Sequence, residues 1–341
     1  MAGDGISRSP SEDVEPGRVP LLPLFESESQ YEAMLSRLEP WLPAIREVCR
    51  RAGIAPMSAL RGGLSETFPT AVIPPRHVLK LFGPWFDGSA SFEAELRAYT
   101  LMAADPDLPV PRTVAHGALD ADWSYLVTSF APGIPLAQAR RELAHEDMLR
   151  VATWLGRFVS RLQALPLRPQ DRARAWLRWQ QDTTSRYLNA PAVLAGWGSL
   201  PQWVVQEVAT WLPPLEVLLP SDDWAVLLHA DLHDEHVLGE MVDGHFEPHW
   251  VIDFNRAQIG HPYYELGPLI RWTFAGDRQL TSAFLAAAKL RQPQDQPFAK
   301  LALCYVLLHD ADQLGGLPLL GQVSSLDELA NRLFASPRND D

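Results

Sequence analysis

Cysteine is nearly absent from this 341-residue chain: it has Cys49 and Cys304, with no Cys-x-x-Cys spacing. That excludes a disulfide scaffold and a thiolate zinc site. Positive charge is also short. Lys and Arg number 29 against 42 Asp and Glu, a net charge of -13. Such a field repels phosphate backbones, so sequence-independent nucleic-acid binding is not expected. No apolar run approaches the ~20 residues of a membrane span. Residues 1–20, rich in Ser, Pro, Gly, Asp and Glu, lack the apolar segment of a secretory signal. The expectation is a cytoplasmic monomer or homodimer with neither nucleic acid nor membrane as partner. What is present suits a globular fold: 47% hydrophobic residues and 21% charged ones can build a sizeable core. The length fits one large domain or two small ones.

The pattern changes along the chain. Residues 1–20 read as a disordered tail. From Ser29 to Arg51 the apolar residues Tyr31, Met34, Leu35, Leu38, Trp41 and Leu42 recur at helical spacing. Ser29 and Glu32 fit a capping box, and Pro40 and Pro43 divide the helix. Leu60–Phe68, with a turn at Gly62-Gly63, then Ala71–Ile73 and His77–Phe82, read as a hairpin and a further strand. A helix follows over Ser91–Ala103, then strands at Arg112–His116 and Trp123–Phe130. Beyond Ala131–Pro135 the signals are mostly helical: Glu146–Leu165, Trp176–Leu188, Leu200–Leu219, Tyr264–Phe274, Gln279–Lys289, Phe298–Leu314 and Leu326–Phe334. Short strand-like runs at Trp224–Leu228 and His249–Phe254 interrupt them. The expected class is α+β: an antiparallel sheet over residues 21–131, a helical part over 132–335, and a polar tail over 336–341.

The chemistry concentrates in Leu227-Leu228-His229-Ala230-Asp231-Leu232-His233-Asp234-Glu235-His236 and in Trp250-Val251-Ile252-Asp253-Phe254. Each apolar strand ends in an Asp. Pairing the two strands as a hairpin would bring Asp231, His236 and Asp253 together. One reading is a hard cation held by Asp253 and His236, with Asp231 free as a general base. Another is a facial triad for non-haem iron built from His229, Asp231 and a distant His. A third is a set of turn-capping groups that satisfy one another.

The order of elements, from glycine turn through strand lysine and acidic helix to the two-Asp segment, resembles a kinase. It is most similar to the aminoglycoside phosphotransferase family, whose loop reads His-Gly-Asp-Leu-His-x-x-Asn and whose metal Asp sits in Ile-Asp-Phe/Trp. The resemblance covers roughly Ala59 to Ala287. It implies a two-lobed protein-kinase-like fold, ATP or GTP as phosphoryl donor, Mg²⁺, and a hydroxyl-bearing small molecule as acceptor. It further implies that Asp231 takes or orients the acceptor proton, that Asp253 and His236 hold the metal, and that Lys80 meets the phosphates. Glu95 is the expected partner of Lys80, with Glu93 as alternative. Gly62, Gly63 and Ser65 would approach the nucleotide, and Ser129 would open the hinge that meets its base.

Three positions depart from the pattern. His236 stands where most of the family has Asn, although macrolide phosphotransferases resemble this loop with His-x-Asp-Leu-His-x-x-His. Asn255 follows Ile-Asp-Phe where a Gly is common in kinases. In Gly260-His261-Pro262-Tyr263-Tyr264-Glu265, His261 replaces the family's Asp, and Glu265 is expected to anchor the catalytic loop. A pseudokinase that only binds therefore stays open. Seven tryptophans between 154 and 224 suggest an apolar acceptor pocket, and Asp182, Glu207, Asp222, Asp223 and Glu235 a negative potential around it. The expected acceptor is an antibiotic or related natural product, with choline-, homoserine- or sugar-type metabolites as alternatives.

Overall fold

The computed structural model describes residues 20–55, 60–63, 67–74, 76–293 and 297–334. Helices α1 (Glu28–Leu35) and α2 (Leu42–Arg51) flank a short 3₁₀ turn, Glu39–Trp41, where Pro40 interrupts the helix. The cap of α1 is Ser27, whose hydroxyl accepts the Gln30 N–H at 3.3 Å, and not the expected Ser29.

A five-stranded antiparallel sheet follows, built from β1 (Arg61–Gly62), β2 (Thr70–Ile73), β3 (His77–Phe82), β4 (Thr113–Asp120) and β5 (Trp123–Ser129). Its spatial order is β1-β2-β3-β5-β4, with α3 (Gly88–Met102) inserted after β3. The period of two along a strand sorts the faces. On β3, Leu79 and Leu81 belong to a core shared with Tyr31, Trp41, Ile45 and Val48, while Phe82 belongs to the opposite core. Lys80 lies between the two leucines and is thereby sent to that opposite face. Each of these leucines, fully buried, contributes ~1.5–3 kcal/mol.

The remainder is mainly helical. After β6 (Ile134–Pro135) come α4 (Leu136–Ala139), α5 (His145–Gln163), α6 (Pro169–Leu188), α7 (Ala190–Trp197), α8 (Gln202–Trp211) and α9 (Leu215–Leu218). The single helix expected over Leu200–Leu219 is thus two, because Pro213 and Pro214 break it.

Next come β7 (Val226–Leu228), β8 (Val237–Val242), β9 (His245–Val251) and β10 (Gln258–Gly260). The hairpin expected between the two Asp-bearing strands does not form. Instead β9 pairs with β8, and β7 pairs with β10. The Asp-bearing ends still meet, since Ile252 N–H donates to the His236 carbonyl at 3.0 Å.

The stretch expected as one helix over Tyr264–Phe274 is a 3₁₀ turn (Pro262–Glu265), the short α10 (Leu266–Pro268) and a π-turn (Leu269–Thr273). Finally α11 (Arg278–Ala288) packs on α5, and α12 (Phe298–Leu307) on α13 (Leu326–Phe334). Helix α12 ends seven residues before the expected Leu314.

Candidate active site

The inner end of the site is an ion cluster. Lys80 Nζ lies 2.8 Å from Glu95 Oε2 and 2.6 Å from Asp253 Oδ1. Glu95 reaches it because Glu95, Ala98, Tyr99 and Met102 form the buried stripe of α3 at helical spacing. Glu93 lies off that stripe and is exposed. Helix α3 starts close to β3, where a Cβ on Gly88 would fall 2.1 Å from the Gly83 carbonyl oxygen. Burial alone would depress the Lys80 pKa, but the two carboxylates outweigh it and hold the ammonium charged. For Asp253, burial works upward, and Lys80 beside it prevails and keeps the carboxylate well below its usual range.

A cavity of about 100 Å³ runs from this cluster between the sheet and Leu238, past Val72, Val78, Leu126 and Thr128. Gly63 and Ser129 line it as well. Gly63 cannot carry a side chain, since its Cβ would stand 2.3 Å from Thr70 Cγ2. Gly62 meets no such restriction, and Ser65 lies outside the described residues. The Ser129 hydroxyl accepts the Arg112 N–H at 2.8 Å, so that side chain ties β5 to the start of β4.

The loop after β7 is held from beneath. Glu265, almost fully buried, accepts the N–H groups of His229 at 2.8 Å and Ala230 at 3.1 Å. Burial raises its pKa to about 7 against those two hydrogen bonds. Ala230 adopts φ +64°, a left-handed conformation that costs a non-glycine residue ~1–2 kcal/mol. Asp253 does the same at φ +66°. His229 donates through Nε2 to the Ile252 carbonyl at 2.9 Å and accepts the Asp231 N–H on Nδ1. Both nitrogens are engaged, and burial lowers its pKa to about 4, so it is a neutral brace. This removes the iron triad built on His229.

His236 Nδ1 donates to the Asp231 carbonyl at 2.8 Å. That hydrogen bond leaves the Nε2 lone pair facing Asp253 Oδ2 at 3.7 Å. The pair is an N,O donor set that one divalent ion could bridge. Asp231 points into a cleft of about 710 Å³, its nearest ionic neighbour being His233 Nε2 at 3.9 Å. The cleft is walled by Phe68, Phe86, Asp87, Gln138, Glu235 and Arg256, among others.

None of the seven tryptophans lines this cleft. Trp176 and Trp179 are buried in the core, Trp211 donates to Asp327, and Trp224 stacks on His261. Of the five acids expected around the acceptor, Glu235 alone reaches the wall. Asp223 pairs with Arg291, and Glu207 accepts the Leu326 N–H. Sequence reasoning missed Arg256, which pairs with Asp310, and Arg140, which holds Asp234 at 3.2 Å. Arg256 follows Asp253 by three residues, and that proximity was the one signal available.

The model of the phosphotransferase enzyme family matches residues 74–301, and the chain belongs to that family. Its fold is similar to the GDP and kanamycin complex of APH(2")-IIia, with 16% identity, a TM-score of 0.60, and 78% of this chain and 87% of that one covered. The GDP complex of wild-type aminoglycoside 2'-phosphotransferase-IIIa gives 14% identity and a TM-score of 0.59 over 86% and 99%. The complex of spectinomycin phosphotransferase, APH(9)-Ia, with ADP and spectinomycin gives 13% and 0.50 over 84% and 93%. These likenesses establish the two-lobed kinase-like α+β fold. Among curated proteins, the lysine-specific demethylase JMJ21 of Arabidopsis thaliana is 22% identical over 61% of this chain. The chain spans 28% of that protein's length.

Proposed function

From membership of that family, we propose that this phosphotransferase moves the γ-phosphoryl group of ATP or GTP to a hydroxyl of an antibiotic or related natural product. The observation that carries the reading is the division of the site. Lys80, locked between Glu95 and Asp253, offers a fixed cation, while Asp231 remains open to the cleft beyond it. The relatives crystallised with GDP and kanamycin, or with ADP and spectinomycin, support a nucleotide and a hydroxyl-bearing antibiotic as the two ligands.

In this reading the base enters the cavity between the sheet and Leu238, and the hinge at Ser129 meets its edge. Lys80 binds the phosphates. Gly63 lets the backbone come close to them. Asp253 and His236 would hold Mg²⁺, which when bound neutralises charge on the phosphates. The acceptor hydroxyl lies against Asp231, which takes its proton as the oxygen attacks the γ-phosphorus. The bond from that phosphorus to the bridging oxygen breaks, and the nucleoside diphosphate leaves. Glu265 and His229 keep the loop in place. The cleft wall carries Asp87, Asp231, Glu235 and Asp253 against Arg256, so the acceptor side is net acidic and admits a cationic acceptor.

The test is a mass-spectrometric screen of macrolides, aminoglycosides and nucleoside antibiotics with Mg²⁺ and ATP or GTP. The expected result is an acceptor heavier by one phosphoryl group, with Asp231→Asn slower by ~10²–10⁴-fold. Undiminished turnover in that variant would overturn the assignment of the base.

A further inference from the structure

The loop that carries Asp231 also carries two imidazoles. One oxygen of Asp231 and one nitrogen each of His233 and His236 all lie within 4.8 Å of one another. The two rings sit 4.0 Å apart between centroids. All three side chains are partly buried at the floor of the cleft, with side-chain exposures of 29%, 17% and 14%. Two imidazoles and a carboxylate with an open fourth position are a donor set that suits zinc and related borderline ions.

The surroundings of the rings point the same way. A metal-bound imidazole ordinarily gives its second N–H to a carbonyl or carboxylate, which fixes the ring and strengthens the ligand. His236 Nδ1 already donates to the Asp231 carbonyl at 2.8 Å. His233 Nδ1 accepts the Glu235 N–H at 3.4 Å and lies 3.8 Å from Asp234 Oδ1, so Zn²⁺ on Nε2 requires Nδ1 to take the ring proton and turn it to that carboxylate. His233 Nε2 lies 3.9 Å from Asp231 Oδ1, and His236 Nε2 lies 3.7 Å from Asp253 Oδ2.

We propose that Asp231, His233 and His236 form a zinc-type site that shares His236 with the pair His236 and Asp253, and that Zn²⁺ bound there shuts the enzyme off. Binding engages the carboxylate that would otherwise accept the acceptor proton, and it turns His236 away from Asp253. The inhibitory consequence rests on the phosphotransfer reading; the site itself does not. Mg²⁺ prefers oxygen ligands and retains its waters, so it competes weakly for two imidazoles.

The experiment is calorimetric titration of the full-length, nucleotide-free protein with Zn²⁺ in excess Mg²⁺. Co²⁺ serves as a spectroscopic probe for tetrahedral nitrogen ligation. The expected result is one equivalent of Zn²⁺, with affinity about tenfold or more weaker in both His233→Ala and Asp231→Asn. Thermal melting identifies a variant that fails to fold, and the other variant then decides. Absence of stoichiometric Zn²⁺ binding, or affinity unchanged by either substitution, would overturn the site. MgATP and MgGTP titrations of the same samples test the phosphotransfer reading separately. Zinc binding without nucleotide binding would sink that reading and leave the metal site standing.

Discussion

The two ends of the cleft treat their carboxylates in opposite ways. At the inner end Asp253, its side chain 17% exposed, is held in a left-handed turn and neutralised by Lys80 at 2.6 Å. At the outer end Asp231 is part-exposed, and its nearest ionic partner is an imidazole at 3.9 Å. A close ion pair is rigid and suited to holding phosphate charge, whereas an open carboxylate is suited to receiving a proton. The β8–β9 hairpin and the bond from Ile252 N–H to the His236 carbonyl keep the two ends adjacent. In the proposed function, charge binding and proton transfer fall to different residues of one continuous loop-and-hairpin unit.

The largest effect on this contrast should come from Lys80→Ala, which leaves the part-exposed Asp253 and the buried Glu95, whose pKa burial already raises, without their cation. A loss of about 3–5 kcal/mol in urea unfolding is expected. Adding Glu95→Gln should recover part of it, and no recovery would mean that Glu95 is not ionised through Lys80. A smaller effect belongs to the outer end. The Glu265 carboxyl has its pKa raised to about 7 from an ordinary 4.5. Between those values the folded chain keeps a proton that the unfolded chain has released. Its contribution to stability is therefore complete below the unfolded pKa and is lost as pH rises through about 7. Glu265→Gln should flatten stability against pH in that window by up to about 1.4 kcal/mol per unit. Unfolding curves at pH 5, 6 and 7 would show it, and parallel slopes in both proteins would contradict it. The smallest expected change is Ala230→Gly, which relieves the left-handed turn below Asp231. A gain of up to about 1 kcal/mol is expected, because the added freedom of the unfolded chain offsets part of the relief.

Much of the arrangement could be read before any coordinates. Alternation on His77–Phe82 already separates Lys80 from Leu79 and Leu81, and helical spacing places Glu95 with Tyr99 and Met102. Lys80 is also one of three lysines in a chain that otherwise uses arginine, which marks it further. What failed has physical reasons. Periodicity shows that a tryptophan is buried, and it does not show whether it faces the core or a cleft. Hence the apolar acceptor pocket that the seven tryptophans together suggest is not built by them, and Trp176 and Trp179 lie in the core. The pairing of β7 with β10 was hidden because Gln258-Ile259-Gly260 is too short for a pattern. The β8–β9 hairpin had a readable signal, Asp243-Gly244 between two strand-like runs, which is a two-residue hairpin turn. The ion pairs of Arg140 and Arg256 join residues tens of positions apart and follow from packing alone.

The most direct test of the division between the two ends is nucleotide affinity measured in Asp231→Asn and Asp253→Asn side by side, with Mg²⁺ and ATP or GTP. Near-normal affinity is expected in the first variant and a loss of about tenfold or more in the second. Equal losses in both, or a loss confined to Asp231→Asn, would contradict it.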